Sequence, residues 1–271
     1  MYLMVKTTVN EIASYIEALA PKSLAESWDN VGLLVGDGDT EVNTVFIGLD
    51  ATTENITQAI ECNADLIITH HPIIFPTINR VVEQDVTGSM IIRLINNNIS
   101  LYSAHTNLDI AEGGMNDILA DKLGLINVRP FTDEECIDNS TGKPTDNIGR
   151  VGALETPTEM ADLVDYVKSV LCCGSISYVG DPSEIVSSAA LCSGSGGDYI
   201  YNAYNAGADV YITSEIKHHQ ASLALELGIN LIDAGHFETE NIICDFMKEY
   251  LSRKFPNLKI VKSQSTPYKR R

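Results

Sequence analysis

Basic residues are scarce in this chain: 18 Lys and Arg stand against 37 Asp and Glu, a formal charge of −19. A surface of that sign repels phosphate backbones and acidic headgroups within a Debye length, so neither nucleic acid nor a membrane is an expected partner. Long apolar runs are missing as well. No stretch of about 18 apolar residues occurs, and the opening MYLMVKTTVNEIASYIEALAP passes quickly into an acidic, periodic helix. A transmembrane span and a signal peptide are therefore not expected, and the chain is read as cytoplasmic and unprocessed. The six cysteines (Cys62, Cys136, Cys172, Cys173, Cys192, Cys244) form no CxxC pair, so buried free thiols are expected rather than a disulfide framework. Trp28 is the single tryptophan. With Asp29 and Asn30 it lies in a loop before an apolar strand, which reads as a packing Trp beside an Asx turn. Nothing matches a Ser-His-Asp triad or a nucleophile elbow.

What is present fits a globular protein of 271 residues, 44% hydrophobic and 20% charged; at roughly 150 residues per domain, two lobes are expected. Apolar, β-branched runs at 44–50, 65–71, 99–105, 187–193, 209–215 and 229–236 alternate with helical periods at about 53–62, 87–97, 114–123, 158–171, 198–206, 217–227 and 239–253. This alternation predicts an α/β fold built from βαβ units on a largely parallel sheet. Two internal echoes accompany it. ADLIIT at 64–69 returns as ADVYIT at 208–213, 144 positions on, and ISLYSAHTNLD at 99–109 resembles INLIDAGHFETE at 229–240. In the second echo His105 and Asp109 are answered by His236 and Glu240, 131 positions on. A duplicated unit whose halves face each other across a cleft is the expectation. The polar segment FTDEECIDNSTGKPTDNIGR (131–150) reads as a linker.

In open α/β sheets ligands bind beyond the carboxyl ends of the strands, and His70, His71, His105, Asp109, His236 and Glu240 all fall there. Imidazole and carboxylate together suit Zn, Fe or Mn, and the lack of cysteine nearby argues against a closed structural zinc site or an iron–sulfur cluster. Adjacent His70 and His71 alternate faces on an extended strand, but at a strand end, with Pro72 after them, they can diverge. A lone HH pair is weak evidence; two His-x-x-x-acid pairs at equivalent points strengthen it. A metal cluster would also answer a second need, since an acidic protein with an anionic substrate requires a local positive source.

These stretches, ESWDNVGLLVG (26–36), ADLIITHHPIIF (64–75), HTNLDIAEGGMND (105–117), ADVYITSEIKHH (208–219) and DAGHFETE (233–240), resemble the Ngg-interacting-factor-like dinuclear metal proteins, also known as GTP cyclohydrolase I type 2 homologues. The resemblance implies a pair of divalent metal ions held by His70, His71, Asp109, His236 and Glu240, with His105 close by as a second layer or proton shuttle. It implies intertwined three-layer α/β lobes, the first from 1–130 plus 234–271 and the second from 131–233, with the metal site in the cleft, and a ring-shaped homohexamer. Longer members carry a domain inserted between the lobes, where this chain has only its polar linker.

The expected function is a metal-dependent hydrolase acting on a nucleotide-like or phosphorylated, anionic small molecule, with His105 and Glu240 taking part in catalysis. The competing expectation is a non-enzymatic metal-binding protein with a regulatory or partner-docking role. Ser193–Gly197 reads either as a phosphate cradle or as a tight turn. His218 and His219 read as solvated helix residues, and Glu112 and Glu215 as surface carboxylates.

Overall fold

The computed structural model describes residues 6–131 and 147–266. Most of the linker at 131–150, with Cys136, and the end of the tail lie outside the described residues. In chain order the strands are β1 (Gly32–Val35), β2 (Thr44–Gly48), β3 (Leu66–Thr69), β4 (Ser100–Ser103), β5 (Leu125–Pro130), β6 (Arg150–Glu159), β7 (Ser177–Val179), β8 (Ile185–Leu191), β9 (Val210–Thr213), β10 (Asn230–Asp233) and β11 (Lys259–Lys262). The helices are α1 (Val9–Leu19), α2 (Thr53–Glu61), α3 (Val86–Asn96), α4 (Thr106–Ile110), α5 (Met115–Lys122), α6 (Met160–Val170), α7 (Ile200–Asn205), α8 (His218–Leu227), α9 (His236–Glu240) and α10 (Ile242–Lys254).

The chain divides into two compact units. The first runs to Leu108 and resumes at Ile243; the second is Asp109–Ile242. These divisions differ from the 130/131 and 233/234 boundaries expected from the sequence. Helix α5 and strand β5 lie in the second unit because Leu119, Leu123 and Leu125 share an apolar cluster with Leu163, Val167 and Ile212.

The first unit's sheet has the order β1-β4-β3-β2-β11. Its inner strands are parallel, and β1 runs antiparallel to β4. TVFIG, LIIT and SLYS are buried along their whole length. Such continuous apolar runs are what a parallel sheet covered on both faces requires. Thr8 begins α1 with a reciprocal capping box to Glu11, and Thr52 caps α2 by accepting from the Asn55 amide.

The second unit's sheet is mixed, with the order β5-β6-β8-β9-β10-β7. Only β8-β9 and β9-β10 pair in parallel; β5-β6, β6-β8 and β7-β10 are antiparallel. The largely parallel sheet expected from the sequence is thus corrected here. Segments β5, β6 and β7 are partly exposed, Ile126, Val128 and Tyr178 among them, and lack the continuous apolar run that marks a buried strand. Along the buried strands successive residues enter different clusters: Leu191, Ile212 and Ile232 in one, Ala190, Tyr211 and Leu231 in the other. Period-two alternation between two cores means that the sheet is covered on both faces.

The duplication is visible in the backbone. Residues 66–69 of β3 and 210–213 of β9 stand 144 positions apart and pair with β4 and β10 in the same sense. Asp65 Oδ2 accepts the amides of Asn43 and Thr44 at 2.8 and 2.9 Å; Asp209 Oδ2 accepts those of Ser187 and Ser188 at 2.8 and 2.9 Å. The Ala104 amide donates to Thr69 O, and the Ala234 amide to Thr213 O.

Candidate metal centre

In the first unit β3 ends at Thr69, whose hydroxyl donates to His71 O at 2.8 Å, while the His71 amide donates to Leu49 O at 3.0 Å. These bonds fix the two residues that leave the strand. His70 is buried, and its Nδ1 lies 2.8 Å from Ala104 O. His71 Nδ1 lies 2.7 Å from Asp50 Oδ1, just beyond the end of β2. His105 comes just after β4 and sets its Nδ1 2.8 Å from Asp29 Oδ1. The three rings stand 5.1–5.5 Å apart, centroid to centroid, and their ligand atoms lie within 4.8 Å of one another. His105 therefore joins the same imidazole group as His70 and His71. Asp29 also receives the Thr106 amide and hydroxyl, at 3.1 and 2.5 Å. Burial by itself would raise the Asp29 carboxyl, but the hydrogen bond and charge of His105, with Thr106 and the Asn30 amide, outweigh it and hold the group at about 2.

In the second unit Asp109 lies buried in α4. Its carbonyl accepts Asn116 Nδ2 at 3.2 Å, and the Arg150 guanidinium donates to Ile110 O and Ala111 O at the end of the same helix. Arg150 is itself buried and paired with Asp117, so the carbonyls that terminate the Asp109 turn are capped by a held cation. His236 opens α9 after Gly235, whose φ of +87° suits a residue without Cβ. His236 Nδ1 lies 3.2 Å from Glu215 Oε1 and Nε2 lies 2.8 Å from the buried Glu240 Oε2, one helical turn on. Burial and then the Asp109 charge, with a further contribution from Glu240, push the Cys192 thiol well above its ordinary value.

Whether these side chains suit a divalent ion turns on the imidazole tautomers. Carbonyl and carboxylate oxygens only accept, so the Nδ1 atoms of His70, His71 and His105 carry the proton and the lone pair of each neutral ring resides on Nε2. Metal-bound histidines are held in this way by carboxylates and carbonyls. His236 differs, because acceptors face both of its nitrogens, Glu215 at 3.2 Å from Nδ1 and Glu240 at 2.8 Å from Nε2. Together with two buried carboxylates the donor set fits Zn, Fe or Mn.

The segment Ser193–Gly197 forms a turn tied to its own neighbours. The Ser193 amide donates to Asn116 Oδ1, the Gly194 amide to Thr239 Oγ1, and the Gly196 amide to Thr213 Oγ1, so these donors are already used by the protein. Gly194 instead lets the backbone pass against α9: a Cβ there would overlap Glu240 Oε1 and come within 3.3 Å of His236 Nε2. His218 and His219 are exposed at the start of α8, and Glu112 is exposed. Glu215 is exposed too, yet it is the residue that faces His236 and holds a left-handed backbone, φ +57°. Among the cysteines Cys172 is exposed, against expectation, while Cys173, Cys192 and Cys244 are buried. Asp29 and Asp50 are the partners that sequence reasoning missed. Asp50 stands just past the end of β2, so the strand-end rule that selected His70 would have found it.

A family model described as DUF34/NIF3 (NGG1p interacting factor 3) matches residues 7–268. The chain belongs to the DUF34/NIF3 family. A Clostridium perfringens relative named GTP cyclohydrolase 1 type 2 homolog is 39% identical over 232 residues, 86% of either chain. Among solved structures, a Staphylococcus aureus hypothetical protein is similar with a TM-score of 0.87 at 29% identity, over 98% of this chain and 100% of its own. Reduced HcgD from Methanocaldococcus jannaschii has a TM-score of 0.81 at 32% identity, over 97% and 100%. Among the described residues no helix is long and apolar enough to cross a membrane.

Proposed function

We propose that this DUF34/NIF3 protein is a metal-dependent hydrolase in which His70, His71, Asp109, His236 and Glu240 hold a pair of divalent ions and water attacks a nucleotide-like or phosphorylated small molecule. The observation that carries the reading is shared by His70 and His71, side by side at the end of β3, each with Nδ1 held against an acceptor, so that Nε2 is the nitrogen each ring would offer a metal. Asp109 and Glu240 add buried carboxylates, which a cation would neutralise. The chemistry such a centre supplies when loaded is Lewis-acid polarisation of a phosphoryl or carbonyl oxygen and acidification of water.

His105 has a separate role in this reading. Asp29 remains ionised to well below neutral pH and keeps the Nδ1 proton of His105 in place, so Nε2 is the atom that takes up and returns a proton during turnover. The name carried by the clostridial relative makes GTP the first substrate to try. A cytoplasmic homohexamer is the assembly proposed with it, on family resemblance.

The test is elemental analysis of the protein as purified and after reconstitution with Zn, Mn or Fe, beside phosphatase, phosphodiesterase and GTP ring-opening assays with and without metal. Close to a pair of ions per chain, and turnover that vanishes in Glu240→Ala, is the expected result. No bound metal after reconstitution would overturn the site. Full loading without turnover of any substrate class would leave a metal-binding protein that is not a hydrolase.

A further inference from the structure

Trp28 and Phe75 are left 56% and 52% exposed, which corrects the expectation that Trp28 is a packing residue. They are not scattered. Their ring centroids stand 5.7 Å apart at 61°, edge to face, and the Trp28 ring lies 6.1 Å from that of His105. The loop that carries them is pinned on both sides. Asn30 Nδ2 donates to Ile74 O at 2.9 Å, next to Phe75, and Asp29, next to Trp28, is bound to His105 and Thr106. Folding gains little from aromatic area left in water, so a fixed, exposed aromatic pair beside a polar cluster is informative. An apolar wall with a few convergent polar groups is the composition of a small-molecule site.

We propose that Trp28 and Phe75 form a stacking wall that takes the planar heteroaromatic ring of the substrate beside the His70, His71 and His105 group. This rests on the hydrolase reading, which supplies the nucleotide-like substrate, and deepens it by naming the residues that bind the base. A flat ring matches the face of an indole, whereas a sugar phosphate has no such face. Stacking also gives a neutral source of affinity on a chain whose charge of −19 repels the phosphate it must admit.

Trp28 is the only tryptophan, so its fluorescence reports the wall directly. GMP and ribose 5-phosphate are titrated into the zinc-loaded protein, and the same titrations are followed by calorimetry for Trp28→Leu and Phe75→Leu. GMP should change the emission saturably and ribose 5-phosphate should not. Each variant should bind GMP about tenfold more weakly with unchanged zinc content. Emission indifferent to GMP, or GMP affinity unchanged in both variants, overturns the wall. So does a Trp28 emission that shifts with protein concentration in step with light scattering, because the pair is then covered by a second copy. Wall-dependent GMP binding without any turnover overturns the hydrolase reading alone, and turnover indifferent to Trp28→Leu overturns the wall alone.

Discussion

In the first unit, strands β2, β3 and β4 lead into Asp50, His70–His71 and His105; in the second, β8, β9 and β10 lead into Gly194, Ser214–Glu215 and His236, the residues 144 or 131 positions on. The parallel pairing of these three strands recurs in both, down to the aspartates that accept paired amides at the strand starts. Buried amides and carbonyls must be satisfied in either copy, so that framework is retained. Residues just beyond the strand ends lie outside the ladder, and there the copies part. One keeps three imidazoles; the other keeps one imidazole beside carboxylates, with a glycine where the first has Asp50.

The largest effect expected on this comparison comes from neutralising the acid four residues after each histidine. Asp109→Asn and Glu240→Gln should each expel at least one metal ion and abolish any metal-dependent activity while the circular dichroism stays native, because the chain folds on its own apolar clusters. Full metal retention in both variants would make these ordinary buried carboxylates.

Next comes the glycine that stands in for Asp50. Gly194→Ala should cost roughly 2–3 kcal/mol and reduce metal content, since a Cβ meets Glu240 and His236 and φ is +62°. Gly207→Ala separates the two causes: φ is +79° and nothing lies within 4 Å, so only the backbone cost, about 1 kcal/mol, is expected, with metal unchanged. Equal urea-denaturation losses at the two positions would show that the close approach to Glu240 does not matter.

The acceptors behind the histidines should act more mildly. Asp50→Asn, behind His71, should weaken metal binding about tenfold or somewhat more, measured by competition with a chelating dye, whereas Asp29→Asn, behind His105, should lower any turnover with metal content unchanged. Glu215→Gln should weaken metal binding less than Asp50→Asn, because Glu215 is exposed and stands 3.2 Å from His236 Nδ1 against 2.7 Å for Asp50 and His71. A loss at Glu215 as large as at Asp50 would make the two halves equivalent after all.

The smallest difference is at the duplicated aspartates. Asp209 accepts the Ser187 and Ser188 hydroxyls as well as their amides, whereas Asp65 has the amides. Asp209→Asn should therefore cost about 1 kcal/mol, solvent screening included, and more than Asp65→Asn. Partial burial opposes ionisation of Asp209, but the four hydrogen bonds outweigh it and hold its carboxyl below the ordinary value. A depressed folded value contributes stability that is present above about pH 4, where the unfolded group is also ionised, and that is lost as pH falls through the folded value. The gap between wild type and Asp209→Asn in urea melts should accordingly close in acid. A gap that widens there would contradict the hydrogen-bond account.

Much of this was legible in the chain itself. Strands β2, β3, β4, β8, β9 and β10 stand where β-branched runs end in polar residues, and the echoes at 64–69 and 208–213 fall on β3 and β9. Strands β5, β6 and β7 were not legible, since each is half exposed and takes its place from pairing with buried neighbours rather than from its own period.

By itself the sequence determined which residues stand at the strand ends, because an apolar run of four or five residues fixes where a buried strand stops and which side chains come directly after it. It determined the spacing of His236 and Glu240 as well, one helical turn. Only the tertiary structure decided which nitrogen each ring offers. That depends on acceptors distant in the chain, Asp29 76 residues from His105 and Asp50 21 from His71, and no local pattern records such a pairing. It also decided that Trp28 is exposed beside His105, since burial is a property of what the fold brings near and not of the side chain.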